Sequence, residues 1–161
     1  MDVRAFADHD WPQVWALVAG AARDGDTYAY DPGMTEESGR RAWLRPPPGR
    51  VLVAADGEAV LGTVSMGPNR DGPGRHVANA SFLVAPDVRG RGVGRALVRA
   101  ALETARADGY AGMVFNAVVA TNVHAVRLYE QEGFAIVGTV PEAFTHPTAG
   151  RVGLHVMYRA L

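Results

Sequence analysis

The sequence predicts an α/β domain built on a mixed sheet, and three observations carry that reading. In the middle of the chain the apolar strand pattern HVANASFLV gives way, through a glycine-rich loop, to a helical period. There Val93, Ala96, Leu97, Ala100, Ala101 and Ala105 recur at three- and four-residue steps. Beyond them MVFNAVV is short and nearly all apolar, as expected of a strand covered on both faces. A strand–helix–strand unit of this kind implies a parallel pair at the centre of the sheet.

The other elements follow in order. Asp10 can cap a first helix, with Trp11 and Pro12 in its first turn, running to about Ala22. GDTYAYDPGM is turn-rich, and Thr35 then caps a short second helix that Pro46, Pro47 and Pro48 must stop. VLVAAD and AVLGTVSMG, joined around Asp56-Gly57, read as a hairpin. NRDGPGRH is a loop before the long strand. Asn122 to Glu132 form the last helix, closed by Gly133 just past its end. FAIVGTV and RVGLHVMYRAL complete the chain as two strands. The predicted order is two helices, three strands, helix, strand, helix, two strands.

Composition narrows the function. A chain of 161 residues with 48% apolar content suits a single domain spanning 1–161. No apolar run approaches the roughly 18 residues of a membrane span. MDVRAFADHDWPQ has no signal-peptide core, so the expected compartment is the cytoplasm. A net charge of −1 offers no general attraction to nucleic acid or membrane, and neither is expected as a partner. Cysteine is absent, which excludes disulfides, thiolate zinc sites and a cysteine nucleophile. All 16 basic residues are arginine, which excludes a lysine Schiff base and a Walker-type phosphate loop. Ser65 lies in TVSMG, where Thr63 occupies the first glycine position of a nucleophile elbow. His76, His124, His146 and His155 show no metal-ligand spacing, and no metal is expected.

The loop Arg89-Gly90-Arg91-Gly92-Val93-Gly94 is the strongest clue. A strand that turns through glycines into a helix exposes backbone N–H groups at the positive end of that helix. Glycine lets the backbone approach an anion closely. Arg89, Arg91 and Arg95 add charge-assisted donors around it. The loop therefore suits a phosphate or pyrophosphate. Its spacing is not the dinucleotide fingerprint, because Arg95 stands where the third glycine belongs.

Arg-x-x-Gly-x-Gly, here Arg89, Gly92 and Gly94 after an apolar strand and VAPD, resembles the acetyl-coenzyme A loop of the GCN5-related N-acetyltransferase (GNAT) superfamily. TNVHAVRLYEQEGF is similar to that family's second helix signature, matched at Asn122, Ala125, Leu128, Tyr129, Gly133 and Phe134. The element order agrees as well. Within the superfamily the chain looks most like fungal acetyltransferases of proline analogues and their bacterial relatives, through Asn79, Asn116, Asn122 and the PEAF-x-HP and VMYRAL segments. The resemblance implies a central mixed sheet of about six to seven strands with a splayed parallel pair, flanked by about four helices. It implies acetyl-CoA as co-substrate and a small-molecule amine as acceptor. Family habit and the C-terminal strand pair imply a homodimer.

The resemblance also implies roles. The pyrophosphate would lie on the N–H groups of Gly90, Arg91, Gly92, Val93, Gly94 and Arg95. The pantetheine arm would follow the edge Phe82, Leu83, Val84, where one backbone N–H polarises the thioester oxygen. Asn122 and Tyr129, seven residues apart, share a helix face, with Ala125 between them leaving room for a thin arm. Tyr129 would donate the proton to the leaving sulfur; otherwise it is an amphipathic core residue. Asn116 interrupts an apolar run and needs a partner, either the backbone of a splayed strand or a ligand. Asn79 would contact the acceptor's carboxylate or the oxyanion; solvent exposure on an open strand face is the alternative. Many family members carry a glutamate on this strand as general base, and this chain has none. That favours a water relay or an amine already neutral. Tyr28, Tyr30 and Phe144, expected in loops, would border the acceptor pocket or serve loop packing. A peptide N-terminal acetyltransferase and a non-catalytic acyl-CoA sensor are the competing readings.

Overall fold

In the computed structural model, which describes residues 1–161, Asp10 stands at the N-cap of α1 (Trp11–Asp24), but its side chain does not cap that helix. Its carboxylate instead accepts two hydrogen bonds from Arg4, at 2.8 and 2.7 Å, and one from the Ala7 N–H at 2.8 Å. This fork anchors β1 (Asp2–Ala5), a strand absent from the sequence reading. DVRA is too short and too polar to show a strand period. Only its pairing against β2 (Arg50–Asp56) defines it.

The remaining elements follow the predicted order. α2 (Glu36–Trp43) is capped by Thr35, whose Oγ1 accepts from the Ser38 N–H at 3.2 Å. β2 turns through Gly57, at φ +59°, into β3 (Ala59–Pro68). Then come β4 (Val77–Val84), α3 (Val93–Ala107), β5 (Gly112–Val119) and α4 (Val123–Gln131). Gly133, at φ +85°, lies just beyond α4. β6 (Ala135–His146) and β7 (Gly150–Ala160) finish the chain. β6 is longer than expected: PEAFTH is strand, so Phe144 sits in β6 and not in a loop.

The strands form one seven-stranded sheet in the order β1-β2-β3-β4-β5-β7-β6. Neighbours are antiparallel except for the parallel pair β4–β5. One face packs on α3 through Val64, Met66, Ala78, Leu97, Ala101 and Met113. The other packs on α1 and α2 through Trp11, Val14, Val18, Trp43, Val53 and Leu83. Buried polar groups pin α2 to the sheet: the Trp43 indole N–H donates to Thr63 Oγ1, and Ser65 Oγ donates to the Trp43 carbonyl at 2.6 Å. No helix is long and apolar enough to cross a membrane.

Candidate active site

The site forms where the sheet opens. β4 and β5 pair only at Val77↔Gly112, Ala78↔Met113 and Asn79↔Val114, and then diverge. β5 bends away because its register with β7 slips between Phe115 and Val118. Asn116 and Ala117 are pushed out to solvent at that bulge. The Asn116 amide does not reach the backbone of the splayed strand; it donates to Asn69 Oδ1 at 2.7 Å, in the β3–β4 loop. Asn79 closes the crotch of the fork. Its Nδ2 donates to the Val114 carbonyl at 2.9 Å, and its Oδ1 accepts from Arg45 Nη2 at 2.9 Å. At 9% exposure it is not an open-face residue.

The glycine loop delivers donors to the mouth of the fork. Gly90 and Gly92 adopt φ +81° and +83°, which a side chain resists. Gly92 is the N-cap of α3 and offers no side chain to it. The N–H groups of Gly90, Gly92, Val93, Gly94 and Arg95 have no acceptor within the protein. The cradle is narrower than expected by one donor, because the Arg91 N–H bonds to the Val88 carbonyl. The Val93 side chain is buried in the core. Arg89 lines the cleft and Arg91 does not. Arg95 lines it too, but its guanidinium is drawn to Gln131 and Glu132 beside α4 rather than left free.

α4 supplies the opposite wall. Asn122 Oδ1 accepts from the Ala125 N–H at 3.3 Å, so this asparagine caps α4 while facing the cleft. Ala125, Leu128 and Tyr129 follow along the same wall. The Tyr129 ring packs at 4.5 Å from Phe115 and 6.0 Å from Phe82, between centroids. Every fully buried side-chain nitrogen or oxygen has a partner. The Tyr129 hydroxyl, bonded to nothing in the protein, therefore opens to the cleft. Burial pushes its pKa well above the ordinary tyrosine value, so it stays protonated.

Tyr28 reaches the fork from the α1–α2 connection. Its hydroxyl donates to the Phe82 carbonyl at 2.8 Å and accepts from the Phe82 N–H at 2.9 Å. It thus takes the place that a β5 residue would occupy in an unbroken ladder. Burial raises its pKa well above the usual value. Tyr30 stacks on it, centroids 5.2 Å apart and planes 9° apart. The Phe82 N–H is consequently engaged. Ala85 donates to β3, so strand alternation turns the Val84 N–H to the same open edge as Phe82.

Together these groups line a cleft of about 1490 Å³ that runs from Arg89 and the α3 N-terminus, between β4 and β5, to Phe144. Asn79, Phe82, Leu83, Val84, Asn116, Tyr28 and Tyr30 all border it. His124 and His146 border it as well. The His146 Nδ1 accepts from the Thr148 and Ala149 N–H groups at 3.2 Å each, leaving its other ring nitrogen to carry the proton. No cluster of His, Asp or Glu side chains could hold a metal ion. Sequence reasoning missed Arg45, a single arginine after a helix with no motif around it.

A parallel pair that forks beside a glycine-lined helix N-terminus, with free N–H groups at its mouth, is the architecture this chain presents. The chain belongs to the Acetyltransferase (GNAT) family, whose model matches residues 11–134. The fission yeast N-acetyltransferase aca1 is 31% identical over 134 residues, covering 74% of this chain; the chain spans only 64% of that protein's length. The L-methionine sulfoximine/L-methionine sulfone acetyltransferase of Pseudomonas paraeruginosa is 34% identical over 139 residues, covering 83% of this chain and 79% of that protein. Among solved structures, a GCN5-related N-acetyltransferase from Kribbella flavida superposes with a TM-score of 0.97 at 51% identity, over 99% of this chain and 97% of that one.

Proposed function

We propose that this protein moves the acetyl group of acetyl-CoA to the amine of a small molecule, an amino acid, imino acid or related xenobiotic, within a ternary complex. The observation that carries this is the set of free N–H groups at the start of α3, aimed into a cleft that ends against the Tyr129 hydroxyl. When bound, acetyl-CoA supplies an activated acetyl thioester. The N–H groups of Gly90 and of Gly92 to Arg95 suit its pyrophosphate, and the αL glycines keep side chains out of the way. The forked edge of β4 receives the arm, and the Val84 N–H is the amide placed to polarise the carbonyl oxygen. Tyr129 presents its proton toward the departing sulfur. Its raised pKa favours a hydrogen bond to the developing thiolate over complete transfer. The proton lost by the amine has no carboxylate to receive it on this stretch of β4, so water in the open cleft accepts it.

The acceptor side supports a small substrate over a peptide. Tyr28 and Tyr30 roof the fork, and Tyr28 is bonded to β4 itself, so the cleft is walled where a peptide would need an open groove. The activity named for the Pseudomonas relative, on methionine derivatives, agrees with an acceptor of that size. Incubation with acetyl-CoA and a panel of amines, including proline analogues, tests the reading by free-thiol release. Turnover with at least one small amine is expected. Tight acetyl-CoA binding with no turnover on any acceptor would favour a sensor.

A further inference from the structure

Arg45 is a half-buried arginine with no carboxylate partner, whereas several other arginines of this chain are paired. Arg4 holds Asp10, Arg50 holds Asp108, and Arg95 and Arg99 hold Glu132. Arg45 has no carboxylate. Its one hydrogen bond goes to the neutral Asn79 Oδ1, and its stem runs beside Gly67. Gly67 lies opposite Asn79 in the sheet, and a Cβ there would fall 3.4 Å from Arg45 Cδ. The sheet thus leaves space for this side chain at the closed end of the fork. Burial pushes its pKa down, yet guanidinium stays charged under all ordinary conditions. A desolvated cation without a counter-charge is costly, and its planar fork still has unused N–H donors.

We propose that Arg45 is the group that recognises a carboxylate on the acceptor, with Asn79 as the positioning residue that holds its guanidinium at the fork. The proposal rests on the acetyltransfer reading and refines it: the substrate is an amino or imino acid, not a simple amine. Asn79, which Arg45 holds, lines the cleft, as does Tyr30, and Arg45 stands directly behind Asn79. Tyr129, which faces the leaving sulfur, packs on Phe82, and Phe82 and Asn79 lie about 10 Å apart along the extended strand. One amino acid spans that distance with its amine in near-attack contact and its carboxylate hydrogen-bonded to arginine. Asn79 is then occupied by Arg45 and Val114 and acts on the substrate through Arg45, which differs from the direct contact implied by resemblance.

The experiment compares methionine sulfone and proline with their carboxamides, in wild type, Arg45→Gln and Arg45→Lys. Wild type is expected to prefer the acids roughly 10- to 100-fold in kcat/KM, the worth of a hydrogen bond to a charged group, mainly through KM. Arg45→Gln should bring acid and amide to within about threefold of each other. Arg45→Lys should fall between, since it keeps charge but loses the fork. Acetyl-CoA affinity and a cooperative melt should stay at the wild-type level in both variants. Should the glutamine variant not fold, the lysine variant decides on the same ratio. Equal use of acids and amides by wild type, or a preference that survives in the variants, overturns the proposal. No transfer by wild type to either series would overturn the acetyltransfer reading instead, and this proposal with it.

Discussion

Tyr129 illustrates how a single side chain divides packing from chemistry. Its ring sits among Phe82, Phe115 and Phe134, and only its hydroxyl faces the cleft. Tyr129→Phe should therefore keep stability and acetyl-CoA affinity. Single-turnover transfer should drop by roughly 100-fold or more, the scale of losing one donor aimed at developing charge. A rate within about threefold of wild type would leave Tyr129 as core only. Gly92 makes a different point. Nothing lies within 4 Å of a Cβ placed there, so the obstacle to a side chain is its φ of +83° and the N–H groups it would screen. Gly92→Val should weaken acetyl-CoA binding by at least about tenfold, and calorimetry giving wild-type affinity would dismiss the phosphate-loop role. The placement of the glycine loop, Asn122 and Tyr129 along one cleft was legible because motif spacing and the resemblance it carries point to them. The partners of Asn79 and Asn116 were not, because each lies far along the chain, Arg45 and Asn69.

Elements were legible where a period or a punctuating residue marked them. Thr35 caps α2, Gly133 follows α4, and the Asp56-Gly57 turn joins β2 to β3, all as read. β1 was invisible because four residues have no period, and its partner strand lies some fifty positions away. Asp10 misled for a related reason: a cap-type residue was recruited by Arg4 instead of by its own helix. That recruitment has a pH signature. Hydrogen bonding to Arg4 holds the Asp10 pKa below its ordinary value. The unfolded chain binds that proton first, so the stabilisation is fully present above about pH 4–5 and is lost as pH falls further. Urea midpoints of wild type and Asp10→Asn should differ clearly at pH 6 and converge toward pH 3. A gap that is constant with pH would mean that charge on Asp10 contributes nothing.

For the molecule as a whole, the sheet is asymmetric in how its two edges are managed. β1 ends one edge as a strand of four residues. β6 ends the other with twelve, and nearly all of them are exposed. Val137 is 61% and Val140 54% exposed, an apolar edge of the kind that proteins ordinarily shield. We expect a second copy of the chain to cover it, giving the homodimer that the C-terminal strands suggested. Sedimentation at micromolar concentration should show a dimer that Val137→Lys dissociates; a monomeric wild type would remove the expectation. The splayed pair was anticipated from resemblance. Its cause, the slip of β5 against β7 at Asn116 and Ala117, required the strand register itself.

The Tyr28 hydroxyl bracketing Phe82 of β4 has a consequence for motion. The Phe82 amide sits inside a strand, but a loop side chain guards it rather than a neighbouring strand. Its exchange with deuterated water should therefore report how often the α1–α2 connection lifts, not how often the sheet frays. Amides of the same strand that bond to β3 should stay slow while Phe82 exchanges faster. Tyr28→Phe should accelerate Phe82 alone, making that one strand amide a clock for access to the acceptor side of the cleft.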